Sequence, residues 1–170
     1  MITSIALKIL FVLLLFGDNA KYKEACVKKY NPSGKGNISL SHCKDAITIV
    51  WHKNKIGIDI EITDRAFNHI KFAEKYFFHT NKSNHNNYLT KNMILNQWCA
   101  VEAAIKWDHG KLAKDIKHWQ FFEKPKKLIH RKKNINLNYS QINFYNWTIA
   151  LAYEEKTSSN PEIICCSKNF

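Results

Sequence analysis

Apolar and polar positions alternate most regularly over Ile56-Gly57-Ile58-Asp59-Ile60-Glu61-Ile62. A period of two predicts a strand, with Ile56, Ile58, Ile60 and Ile62 on one face and Gly57, Asp59, Glu61 and Thr63 on the other. Upstream, Ala46–Trp51 is β-rich and His52–Lys55 can turn, so the two runs together predict a hairpin. The pattern changes to a helical period over Lys91–Trp107, a run free of Gly and Pro that follows the potential N-cap Thr90. Ile94, Trp98 and Glu102 recur at i, i+4 and i+8, and Ile105 extends the same stripe. A second helix is predicted over Ala66–Phe78 and a short amphipathic one over Leu112–Trp119. Strands are predicted near Lys127–Arg131, Gln141–Phe144 and Trp147–Tyr153. Asn31–Asn37 and the Asn-rich segment Thr80–Asn87 read as loops, and the tail after Glu155 as loose. Separated helices and antiparallel hairpins point to an α+β domain with a sheet packed against helices.

The N-terminal run Ala6–Phe16 is apolar except for Lys8 and too short to span a bilayer. It is read as a packed first helix ending near Gly17. The alternative is a signal peptide cleaved near Ala20, for which the positive leading region is missing.

Two placements carry candidate chemistry. Carboxylates at i and i+2 of a strand stand about 6.5–7 Å apart at their β-carbons, so Asp59 and Glu61 can reach one hard cation. Magnesium is commonly held by one or two carboxylates, with phosphate oxygens and water completing its shell. Gly57 admits a close approach to the backbone beside the acids. Glu102 then interrupts a core-facing helical stripe, where a carboxylate must be protonated, hydrogen-bonded or bound to a cation. Lys106 follows at i+4, within reach of Glu102 or of a shared ligand. A solvated strand face and a surface Glu–Lys pair are the structural alternatives.

Composition narrows the partners. In 170 residues, 26 Lys and Arg face 14 acids, a formal charge of +12, which attracts polyanions such as nucleic acid, phosphorylated cofactors or acidic proteins. Cys26, Cys43, Cys99, Cys165 and Cys166 make an odd set without zinc spacing, which suits a reducing, cytoplasmic compartment.

Three motifs stand in order: Ser39-Leu40-Ser41-His42, Gly57-Ile58-Asp59-Ile60-Glu61, and Trp98 through Lys106. This order resembles the 4′-phosphopantetheinyl transferases, over roughly Lys35–Lys111 and the closing strand Trp147–Ala152. The resemblance is to the two-half, surfactin-synthetase-activating type. It implies a pseudo-two-fold fold with an abbreviated first lobe over 1–37, a transferase domain over 38–155 and a tail over 156–170. It also implies magnesium-dependent transfer of phosphopantetheine from coenzyme A to a serine of an acidic apo carrier protein, with release of 3′,5′-ADP, by a monomer that binds neither nucleic acid nor membrane. By resemblance Asp59, Glu61 and Glu102 are metal ligands, Glu102 and Lys106 are catalytic, and His42, Lys35 and Lys106 bind coenzyme phosphates. Val101 departs from the lysine that usually precedes the helix glutamate, and Cys43 from the second serine of the Ser-His-Ser element. The alternatives are a catalytically impaired homologue, a basic nucleic-acid-binding module with Trp119, Phe121 and Phe122 as stacking platforms, or a secreted basic interaction protein.

Overall fold

The computed structural model describes residues 10–14, 36–44, 46–77, 90–154 and 162–166. The elements, in order, are β1 (Leu10–Leu14), β2 (Asn37–Cys43), β3 (Ala46–His52), β4 (Ile56–Ile62), α1 (His69–Tyr76), α2 (Lys91–Trp107), α3 (Leu112–Asp115), β5 (Trp119–Phe122), β6 (Lys127–His130), β7 (Ile135–Phe144), β8 (Trp147–Tyr153) and β9 (Glu162–Cys166). They build an α+β fold from two sheets, one ordered β2-β3-β1-β9 and the other β4-β8-β7-β6-β5. All strand pairs are antiparallel except β1 with β9.

Three layers follow from the side chains. The isoleucine face of β4 meets the first sheet, where Ile56, Ile58 and Ile60 pack with Ala46, Val50, Ile149 and Leu151. The opposite face of the second sheet carries small residues, among them Ala150 and Ala152, and receives α2. Gly57 lies on that face. A Cβ built there falls 1.9 Å from the Ala103 carbonyl oxygen and 2.7 Å from the Trp107 nitrogen. The close approach foreseen at Gly57 is therefore that of the α2 backbone itself.

Local chemistry sets the ends of the helices. Thr90 accepts a hydrogen bond from the Met93 N–H at 3.2 Å, and Asn68 accepts from Lys71 N–H at 3.0 Å, the expected way to satisfy an unpaired first-turn donor. α2 stops where His109 takes a positive φ of 53°, and the Gly110 N–H returns to the Ile105 carbonyl at 2.9 Å.

Several expectations need correction. Leu10–Leu14, read as part of a packed first helix, is the strand β1, held between β3 and β9. A short run that is apolar throughout fits a buried strand as well as a buried helix, so periodicity does not separate them. β3 and β4 are not a hairpin: β3 pairs with β1 and β2, whereas β4 pairs with β8. The chain crosses between sheets at residues 53–55, where the Asn54 N–H donates to His52 Nδ1 at 3.0 Å. Leu112–Trp119 is not one helix. It divides into α3, a 3-10 turn over Ile116–His118 and the start of β5. Glu162–Cys166, within the stretch expected to be loose, forms β9. The loop reading of Thr80–Asn87 falls outside the described residues. Among the described residues no helix is long and apolar enough to cross a membrane.

Candidate metal centre

Asp59 and Glu61 rise from β4 toward α2, and Glu102 descends from α2 between them. One ligand oxygen from each of the three lies within 4.8 Å of the others. Asp59, 2 % exposed, is enclosed by the helix above it, while Glu61 and Glu102 are half-buried. The carboxylate face of β4 is thus covered, not displayed to solvent, because Gly57 lets α2 settle on it.

Cations and donors occupy part of this cluster. Lys106 Nζ donates to Asp59 Oδ1 at 2.7 Å and to Ser41 Oγ at 2.6 Å. Ser41 Oγ in turn donates to the same Asp59 oxygen at 2.8 Å. Glu61 is held from outside by Arg65, whose NH1 reaches both carboxylate oxygens at 3.0 and 3.1 Å. The Trp98 indole N–H donates to Glu61 Oε1 at 3.1 Å. Asp59 Oδ2 is buried and has no hydrogen-bond partner.

Crowding three carboxyls under a helix raises the free energy of their charged forms. Burial, and then the Asp59 charge, push the Glu102 carboxyl up to about 9, against a downward pull from Lys106. Glu61 is raised by the same two causes, and Arg65 and Trp98 oppose the rise. A protonated Glu102 can donate to the Asp59 carboxylate, and that hydrogen bond is a further cause of its raised pKa. Beneath the cluster the buried Cys99 thiol, donating to the Thr148 carbonyl at 3.5 Å, is driven well above its ordinary value by burial and the nearby Asp59. It is neutral and offers no ligand. The donor set is all oxygen, and one buried carboxylate oxygen is unsatisfied. These features fit a hard divalent ion such as magnesium.

The sequence-derived candidates are distributed as follows. Asp59, Glu61, Glu102 and Lys106 meet in one cluster. His42 follows Ser41 on β2 and is exposed, whereas Ser41 is buried toward β4. Strand alternation therefore puts the imidazole on the other face of β2 from the carboxylates. Lys35 lies outside the described residues. Val101 is fully buried within the core under α2, so its side chain belongs to packing. Ser41, Arg65 and Trp98 were not foreseen as site residues. The spacing of Arg65 at i+4 from Glu61, and of Trp98 at i−4 from Glu102, was the only trace of their roles. No protein-family model and no curated protein matches the chain.

Proposed function

We propose that the protein is a magnesium-dependent 4′-phosphopantetheinyl transferase that modifies a serine of an acidic apo carrier protein. The observation that carries this reading is the convergence of Asp59 and Glu61 with Glu102 within 4.8 Å, beside the Lys106 ammonium. A basic nucleic-acid-binding module gives these buried acids no task. The three-layer α+β fold is read as that family's fold with a shortened first lobe. The buried Cys99 thiol, which forms no disulfide, accords with a reducing cytoplasm.

Asp59, Glu61 and Glu102 would hold the magnesium ion, which supplies charge neutralisation to the pyrophosphate of coenzyme A. The remaining roles belong to the chain. Glu102, ionised once its repulsion with Asp59 and Glu61 is relieved, takes the proton from the carrier serine, directly or through a water. The serine oxygen forms a bond to the phosphorus bearing pantetheine, and the bond from that phosphorus to the bridging oxygen breaks. 3′,5′-ADP departs with that oxygen. Lys106 places two of its three N–H groups on Ser41 and Asp59, and its side chain is 33 % exposed. The third N–H is available to the charge growing on the leaving phosphate. The family resemblance alone assigns His42 to the 3′-phosphate and Lys35 to the coenzyme phosphates; His42 is exposed on the face of β2 away from the carboxylates, so its contact would be with a part of the coenzyme remote from the metal.

The test is mass spectrometry of apo acyl- and peptidyl-carrier proteins incubated with the protein, coenzyme A and Mg²⁺. Transfer adds about 340 Da to the serine, the mass expected for phosphoryl-linked pantetheine. Glu102→Gln is expected to abolish the addition and Asp59→Ala to reduce it severely. A Glu102→Gln protein with undiminished transfer overturns the assignment. Coenzyme and magnesium binding without transfer to any carrier would identify an impaired homologue instead.

A further inference from the structure

Ser39 and Ser41 share the buried face of β2 that looks onto β4, yet they meet different partners. Ser39 Oγ accepts from the Ile58 backbone N–H at 3.1 Å, tying strand to strand. Ser41 Oγ instead donates to a carboxylate oxygen, Asp59 Oδ1, at 2.8 Å, and accepts from Lys106 at 2.6 Å. With the Lys106–Oδ1 contact of 2.7 Å, the three groups close a triangle around one oxygen of Asp59. The other oxygen, Oδ2, is buried and accepts no hydrogen bond from a fixed donor.

We propose that Ser41 is a positioning residue for the cation site: it commits Asp59 Oδ1 to the protein so that Oδ2 is the oxygen offered to the metal. This rests on the magnesium reading of the cluster and assigns a residue that reading leaves without a task. The terminal torsion of an aspartate is broad and two-fold, so its oxygens exchange places easily unless something tells them apart. Two donors converging on Oδ1 do so. They fix the plane of the carboxylate and draw electron density toward the saturated oxygen, leaving Oδ2 free of any N–H or hydroxyl donor. Hydrogen bonds from groups behind the ligands commonly set ligand orientation in this way, and removing one typically lowers metal affinity by about 10–100-fold. Lys106 alone cannot hold the plane, because its flexible stem follows whichever oxygen is nearer. The short, buried Ser41 side chain can, since a single torsion carries its hydroxyl.

The experiment is calorimetric titration of Mg²⁺ into the wild-type protein and into Ser41→Ala, Ser41→Thr and Ser39→Ala, each with a circular-dichroism melt. Ser41→Ala is expected to lose about tenfold in affinity, and Ser41→Thr, which keeps the hydroxyl, to recover most of it. Ser39→Ala should melt earlier and bind Mg²⁺ as the wild type does. Wild-type binding together with undiminished binding by folded Ser41→Ala, or equal losses in Ser39→Ala and Ser41→Ala, overturns the positioning role and leaves the magnesium site standing. A wild-type protein that binds no Mg²⁺ removes both. Should Ser41→Ala not fold, Ser41→Thr decides: full affinity supports the role of the hydroxyl, and a tenfold loss in a folded protein refutes it.

Discussion

At the scale of single residues, the crowding of three carboxyls ties the stability of the fold to pH. Glu102 has an ordinary value of 4.5 and is pushed up to about 9 in the fold. Between those values the folded protein keeps a proton that the unfolded chain releases, so stability falls as pH rises through the window. The slope from this one group is at most about 1.4 kcal/mol per pH unit. Glu61 is shifted in the same direction and adds to it. Thermal unfolding of metal-free protein should therefore occur at lower temperature at pH 8 than at pH 5. Glu102→Gln should flatten that dependence and raise the melting temperature on the alkaline side. Added Mg²⁺ should restore stability to the wild type there and release close to one proton per ion, readable by titration in buffers of different ionisation enthalpy; an unchanged melting temperature would count against the site. Asp59, Glu61, Glu102 and Lys106 were legible because strand and helix periods place them on single faces. Ser41, Arg65 and Trp98 were not. Each meets an acid brought to it by tertiary packing, or at a spacing shared by many idle surface pairs.

At the scale of elements, the seat of α2 on β4 positions the site, and Gly57 makes that seat possible. A methyl group there would occupy the space of the Ala103 carbonyl, which is backbone and cannot swing aside. Gly57→Ala should therefore displace α2 and with it Glu102 and Lys106. The expected destabilisation is at least the 1–3 kcal/mol usual for an overpacked core, together with loss of Mg²⁺ binding in whatever protein folds. Denaturant unfolding and metal titration would measure both; a variant with wild-type stability would contradict the packing described. The strand β4 and helix α2 could be read from the chain because each keeps one period over its length and α2 carries a recognisable cap. Pairing could not be read so well. β3 and β4 look like hairpin arms because a turn joins them, but β4 has two faces to bury, and it does so between a sheet and a helix. β5 escaped notice because Trp119–Phe122 follows a helical turn without Gly or Pro to mark the change.

At the scale of the whole molecule, the charge of +12 governs encounter more than folding. Lys124, Lys126 and Lys132 stand exposed on the turns flanking β6, outside the carboxylate cluster. If an acidic carrier is drawn in by this field, its KM should rise with added salt, since charges are screened beyond about 10 Å at 0.1 M. Lys124→Glu, Lys126→Glu and Lys132→Glu in combination should raise that KM several-fold while leaving Mg²⁺ affinity unaltered; steady-state kinetics against calorimetry separates the two. A KM indifferent to both salt and charge reversal would remove these turns from the encounter. The parallel pairing of β1 with β9 has a consequence of another kind. A ribosome makes Leu10–Leu14 long before it makes Glu162–Cys166. Until then β1 has β3 on one flank and an open row of amides and carbonyls on the other, an invitation to foreign strands. Completion of that sheet waits on β9, so a nascent chain stalled before β9 should recruit chaperones or aggregate.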